Sequence, residues 1–156
     1  MSTFKCLSIS QPFADLIIKG KKIIELRHWN TSYRGEFLIH SPAKIKLDDC
    51  KRLEINPDDL ITGAIVGKAT IYDVKKYETK KEFLADRKYH LAPDSYFSEN
   101  TFGFLLKRAK EFKIPIQAKG KLGLFDIELK STITKDDDIT SEIFDEEYRT
   151  QWINHH

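Results

Sequence analysis

The sequence predicts a mainly β, α+β domain: a partly open β-barrel with inserted helices and one further helix at the C-terminal end. Three observations carry this reading. Short β-rich runs recur along the 156 residues. Helix starts fall among the early strands. Neither βαβ alternation nor an internal repeat is present, which argues against a doubly wound parallel sheet. The length suits one domain that buries about two thirds of its unfolded surface without staples.

Taken in order, residues 5–9 read as a strand. Ser10 can cap a helix whose first turn accepts Pro12. Phe13, Leu16 and Ile17 then give the i, i+3, i+4 spacing of a buried face, and Gly20 is a natural stop. Residues 23–29 and 36–40 read as strands. Ser41-Pro42 repeats the cap-plus-proline start, for a helix to about residue 54. Asn56-Pro57-Asp58-Asp59 is a turn. Residues 63–74 form a long β-rich run in which Gly67 marks a bulge. Thr79 and Glu82 have capping-box spacing and open a helix toward Tyr89. Residues 90–101 are irregular; 102–107 and 122–129 are strands, separated by Pro115 and Gly120. A domain over 1–130 is followed by an acidic linker, Lys135-Asp136-Asp137-Asp138, and a final helix over 141–153. There Phe144, Tyr148 and Trp152 recur every four residues and would pack on the barrel.

Charge and composition narrow the function classes. Hydrophobic residues are 40% and charged residues 32% of the chain, a soluble globular balance. No apolar run reaches the roughly 18 residues of a membrane span. Met1-Ser2-Thr3-Phe4-Lys5 lacks a signal-peptide core, so a cytoplasmic protein is expected. Cys6 and Cys50 form no CxxC pair and read as buried thiols. The five histidines lack metal-ligand spacing, so neither a metal nor a cofactor is expected. Gly120 and Gly123 lie outside any P-loop pattern, and a zinc-deaminase signature is missing. Net charge is only +2, but residues 131–156 hold two basic and seven acidic side chains, leaving residues 1–130 at +7. A basic body with an acidic tail suits a polyanionic partner.

The informative stretch is 8–44. Along the strand 23–29, Ile24, Leu26 and His28 share one face and read as core. Ile23, Glu25, Arg27 and Trp29 share the other. Glu25 and Arg27 alone could be a surface ion pair worth under about 1 kcal/mol. With Tyr33 and Arg34 in the next loop, however, the segment offers guanidinium groups for phosphate and aromatic rings for bases. Strict alternation sets Lys21 beside Glu25, but the start after Gly20 is too irregular to separate Lys21 from Lys22. Trp29 also suits a plug at one end of the barrel, and His40 a strand-end histidine bonded only to backbone, with a catalytic role as its alternative.

The run QPFADLIIKGKKIIELRHWNTSYRG resembles the pattern of the ASCH domain, a relative of PUA domains. The matching features are Gln11-Pro12-Phe13, Gly20 and Lys22, Glu25 and Arg27, Trp29, Tyr33-Arg34-Gly35 and Ile39-His40. Residues 119–125 resemble the family's closing strand. The resemblance spans residues 4–129 in outline and implies a PUA-like barrel with a cleft between barrel and helices. It further implies binding of RNA, or alternatively DNA, through Gln11, Lys22, Arg27, Trp29, Thr31, Tyr33, Arg34 and Lys44. Some bacterial members are amidohydrolases acting on acetylcytidine, and some are ribonucleases. A hydrolase of either kind is therefore the second expectation, with Lys22 and Glu25 catalytic. Those amidohydrolases have a threonine where this chain has Glu25. A third reading, a protein-interaction module, draws on the acidic tail and on Tyr96 and Phe97 as exposed aromatics.

Overall fold

The structure is a computed structural model and describes residues 2–129. The linker and the helix expected at 141–153 lie outside the described residues.

Alternating apolar residues on most strands build one six-stranded sheet. Its strands are β1 (Ser2–Ser8), β2 (Ile24–Arg27), β3 (Gly35–Ser41), β4 (Ala64–Lys76), β5 (Phe102–Gln117) and β6 (Leu124–Leu129). The order is β2-β5-β4-β3-β1-β6. Only β1 and β3 pair in parallel. The sheet is not closed, since β2 and β6 are its two ends, and the architecture is the partly open PUA-like barrel expected.

Each face of the sheet has its own core. Leu7, Phe37 and Ile39 point to the face covered by α1 (Phe13–Ile18), whose Phe13, Leu16 and Ile17 supply the apolar side read from the sequence. Cys6 and Leu38, one residue out of phase, pack on the other face with Ile65, Phe112, Ile116 and Phe125. A third cluster joins Ile24 and Leu26 of β2 to Tyr77, Phe83 and Ala92. It anchors the 77–101 segment between β4 and β5, which carries α3 (Lys80–Ala85) and α4 (Arg87–His90).

Several local expectations need correction. Ser10 makes no side-chain cap. Instead the Gln11 side-chain oxygen accepts from Asp15 N–H at 2.9 Å. The helix expected from residue 42 is shorter, α2 (Leu47–Arg52). Its first residues are held extended, because Ile45 bridges Gln11 and Lys46 N–H donates to the Gln11 carbonyl. Strand β5 runs ten residues beyond its expected end at 107. Its polar stretch hides the strand period, and pairing with β4 supplies what local propensity lacks. Pro115 falls in the irregular stretch between the Gly67–Glu111 and Ile65–Ile116 pairs, where a missing N–H is tolerated. His28 was placed on the core face; it lies just past the end of β2 and is exposed.

Gly67 does mark a bulge. A Cβ there would lie 2.2 Å from the Lys110 carbonyl oxygen and 2.7 Å from Ile18 Cγ2, so α1 approaches β4 this closely only over glycine. Gly67→Ala should therefore lose about 1–3 kcal/mol of stability in urea unfolding, the range of an overpacked core. An unchanged midpoint would show that helix and strand can separate freely.

Candidate functional site

The first turn after α1 sets up the site. Gly20 adopts φ +75°, and the N–H groups of both Lys21 and Lys22 then fold back onto the Leu16 carbonyl. This turn, not strand alternation, directs Lys22 inward. Its side chain is 2% exposed. The ammonium donates to the Ile24 carbonyl at 2.7 Å and the His90 carbonyl at 2.5 Å, and lies 3.5 Å from Glu25 Oε1. The Phe13 ring lies 5.0 Å away. Burial pulls the Lys22 pKa down to about 8, against the opposing pull of Glu25.

Glu25 bridges two cations. While Oε1 faces Lys22, Oε2 accepts from Arg27 Nε at 2.9 Å and lies 2.8 Å from NH2. NH2 also donates to the Ser8 carbonyl at 2.7 Å. The guanidinium is thus fixed from two sides, and its NH1 group has no hydrogen-bond partner among the described residues. Arg27 is a pre-oriented hydrogen-bond donor for an anion, with its NH1 group left over.

Around this triad lies a cleft of about 450 Å³, within the size range of small-ligand sites. One side is the sheet end at Ser8, Ile9 and Ser10, with Lys46 and Asp49 at the start of α2. The other is the 77–101 segment, through Ala92, Pro93, Ser95 and Tyr96. Tyr96 stacks on His28 with centroids 4.3 Å apart and planes inclined by 23°. His28 Nε2–H donates to the Tyr96 carbonyl, and the Tyr96 hydroxyl donates to the Leu26 carbonyl. Burial, with Glu25 adding to it, pushes the Tyr96 phenol up to about 12. Lys46 is exposed and lies 5.8 Å from the Phe13 ring. Asp49 is paired with Arg52 at 2.9 Å.

Of the residues expected from the sequence to bind or catalyse, Lys22, Glu25 and Arg27 meet in this cleft; Gln11, Trp29, Thr31, Tyr33, Arg34 and Lys44 do not line it. Gln11 is 1% exposed, and its amide is fully engaged by Asp15 N–H and the Ile61 carbonyl. Trp29 packs edge-on to Phe104 at 5.3 Å, the plug alternative, with Arg27 6.0 Å from its ring. Thr31, Tyr33 and Arg34 form a loop wired to itself. Thr31 Oγ1 accepts from Tyr33 N–H, and Arg34 NH1 donates to the Thr31 and Tyr33 carbonyls. The Tyr33 hydroxyl donates to the Glu36 carbonyl, and Arg34 lies 3.6 Å from Asp73. Lys44 is exposed outside the cleft, and Lys46, two residues on, lines it. Tyr96 and Phe97 are half-buried against the third core, not exposed. His40 is buried, accepting from the Ser8 hydroxyl at 2.9 Å and donating to the Ala118 carbonyl at 2.8 Å. Sequence reading missed Lys46, His28 and the cleft role of Tyr96. The only signal for Tyr96 was an aromatic residue in an otherwise irregular polar segment.

Known proteins resemble this chain in sequence and in fold. The family model described as "ASCH domain" matches residues 7–120. Activating signal cointegrator 1 of Homo sapiens is 28% identical over 138 residues, covering 80% of this chain and 22% of the relative. The Mus musculus protein of that name is 26% identical with the same coverage. The chain thus spans about a fifth of the length of these curated relatives. The crystal structure of ASCH from Zymomonas mobilis superposes with a TM-score of 0.55 at 15% identity, covering 72% of each chain. A point variant of that protein gives 0.53 at 18% identity, covering 72% of this chain and 74% of its own. At these identities the likeness is one of fold.

The buried ammonium has a measurable signature. Its folded pKa, about 8, lies below the ordinary 10.5, so between these values the unfolded chain binds more protons. This group's contribution is therefore full above 10.5 and is lost as pH falls through 8. Wild type should gain stability relative to Lys22→Met between these pH values, read from paired urea titrations. A pH-independent difference would mean that the amine is hydrated.

Proposed function

The chain belongs to the ASCH domain family, and from that premise we propose that it binds nucleic acid, RNA first and DNA as the alternative, in the Arg27–Tyr96 cleft. The observation that carries this reading is one arrangement. A clamped guanidinium with a spare NH1 group lies in one hollow with an exposed ammonium, Lys46, and a flat His28–Tyr96 pair. Cations hold phosphate and ring faces stack bases. The volume suits a nucleotide, and the +7 charge of residues 1–130 favours a polyanion.

Within this reading Lys22 organises the site and does not contact the ligand. Two of its three N–H donors have carbonyl acceptors and the third faces Glu25. One observation favours a second reading, a hydrolase: a lysine with its pKa drawn down to about 8 beside a carboxylate is suited to proton transfer or nucleophilic attack. Such chemistry would require the ammonium to leave both carbonyls. The binding reading needs no rearrangement.

Fluorescence anisotropy with a labelled single-stranded RNA tests the proposal. Lys46→Ala alters only an exposed side chain, so its fold is secure. It should weaken binding and lower the slope of log K against log salt by about 0.7, one phosphate contact on a single strand. Tyr96→Ala should weaken binding by about 1–3 kcal/mol, the range for a lost stacking platform. Wild-type affinity in both variants would reject the cleft. Hydrolysis of a nucleoside amide by wild type and not by Lys22→Ala, with RNA binding retained, would select the hydrolase.

A further inference from the structure

We infer that the loop 118–123, which joins β5 to β6, is a second contact for the same nucleic acid, with Leu122 acting as an apolar wedge between bases and Lys119 and Lys121 on flanking phosphates. This inference rests on the nucleic-acid reading above and extends it to a surface outside the cleft.

Leu122 is 98% exposed, far above the next large hydrophobic residue among those described, Leu47 at 61%. A single exposed leucine needs no explanation on an ordinary surface. Its setting here is different. Two lysines just before it in the chain, Lys119 and Lys121, are exposed as well. The nearest acidic residue along the chain, Asp126, is already paired with Lys5 at 2.9 Å. The tip therefore presents two cations next to one apolar side chain; proteins that insert leucine between base steps likewise hold the backbone with basic side chains.

The base of the loop is held firmly. His40 Nε2–H donates to the Ala118 carbonyl at 2.8 Å. Gly120 lies so close over the Ser8–His40 pair that a Cβ would come within 2.3 Å of Ser8 Oγ and 2.6 Å of His40 Nδ1. Gly123, at φ +67°, turns the chain into β6. A wedge needs such a rigid root, because ordering a mobile loop would oppose binding. The root is also close to the cleft, since the Ser8 carbonyl receives Arg27 at 2.7 Å. One strand could thus lie across both.

The test uses the full chain and a single-stranded RNA containing 2-aminopurine, whose fluorescence rises on unstacking. Leu122→Ala and the double variant Lys119→Ala, Lys121→Ala alter exposed side chains only, so folding is not at issue. The double variant should lower the salt slope by about 1.4, two single-strand phosphate contacts. Leu122→Ala should leave that slope unchanged, weaken binding several-fold and abolish the fluorescence rise. If both bind like wild type while Lys46→Ala is weakened, the loop proposal fails and the cleft reading stands. Absence of RNA binding by wild type would overturn both. A loss confined to phosphatidylserine vesicles in the Leu122 variant would make the loop a membrane contact and overturn the wedge.

Discussion

The site depends on one buried ammonium. Lys22 lies where three pieces of chain meet: the turn after α1, the start of β2 and the end of α4. Removing a charge from water costs several kcal/mol after relaxation. That cost is tolerable because the ammonium gains two carbonyl acceptors and a carboxylate, each worth more than a neutral hydrogen bond. The carbonyls are those of Ile24 and His90, so the strand and the 77–101 segment are bound to one atom. The ammonium works beside the Ile23 N–H bond to the Tyr89 carbonyl, the Tyr96 hydroxyl bond to the Leu26 carbonyl and the apolar Ile24–Leu26–Phe83 cluster, and among the described residues it alone joins the two pieces through a charge.

From that point the geometry propagates outward. Glu25 is fixed on one oxygen by Lys22 and passes the constraint to Arg27 on the other. Arg27 transmits it to the sheet through the Ser8 carbonyl. On the opposite wall, His90 is neutral by construction: Nε2–H donates to the Phe83 carbonyl and Nδ1 accepts from Ala92 N–H, while burial lowers its pKa. The Tyr77 hydroxyl and Lys75 ammonium both reach Asp86, which closes the same segment from behind. The segment is therefore braced within itself as well as against β2, and the cleft is the gap between two braced walls.

What the sequence revealed and what it concealed divides along contact distance. Lys22, Glu25 and Arg27 span six positions, and their association follows from a glycine turn and a two-residue strand period. The Gly67 bulge was similarly local. Tyr96 is about seventy positions from Leu26, whose carbonyl takes its hydroxyl proton, and no pattern within either segment announces that pairing. Arg34 lies outside the cleft for a related reason. Its residue type suggested phosphate, but its guanidinium is engaged by its own loop carbonyls and lies near Asp73. Lys44 and Lys46 cannot be ranked by residue type. The Gln11 main-chain bond to Lys46 decides which one starts α2 and borders the cleft.

A division of labour among cations follows from burial and partner count. Lys22 and Lys68 are each 2% exposed and paired with carboxylates. Their charges serve the fold, because a ligand anion would have to displace acceptors already at bonding distance. Lys46, Lys119 and Lys121 are exposed, and by neutralising phosphates they would release the counterions of a nucleic acid without breaking an internal ion pair. Arg27 belongs to both groups: Nε and NH2 are structural and NH1 is left to the cleft. Charge counting alone would treat these side chains as equivalent. Their hydrogen-bond inventories separate the ones that hold the cleft open from the ones that can meet something inside it.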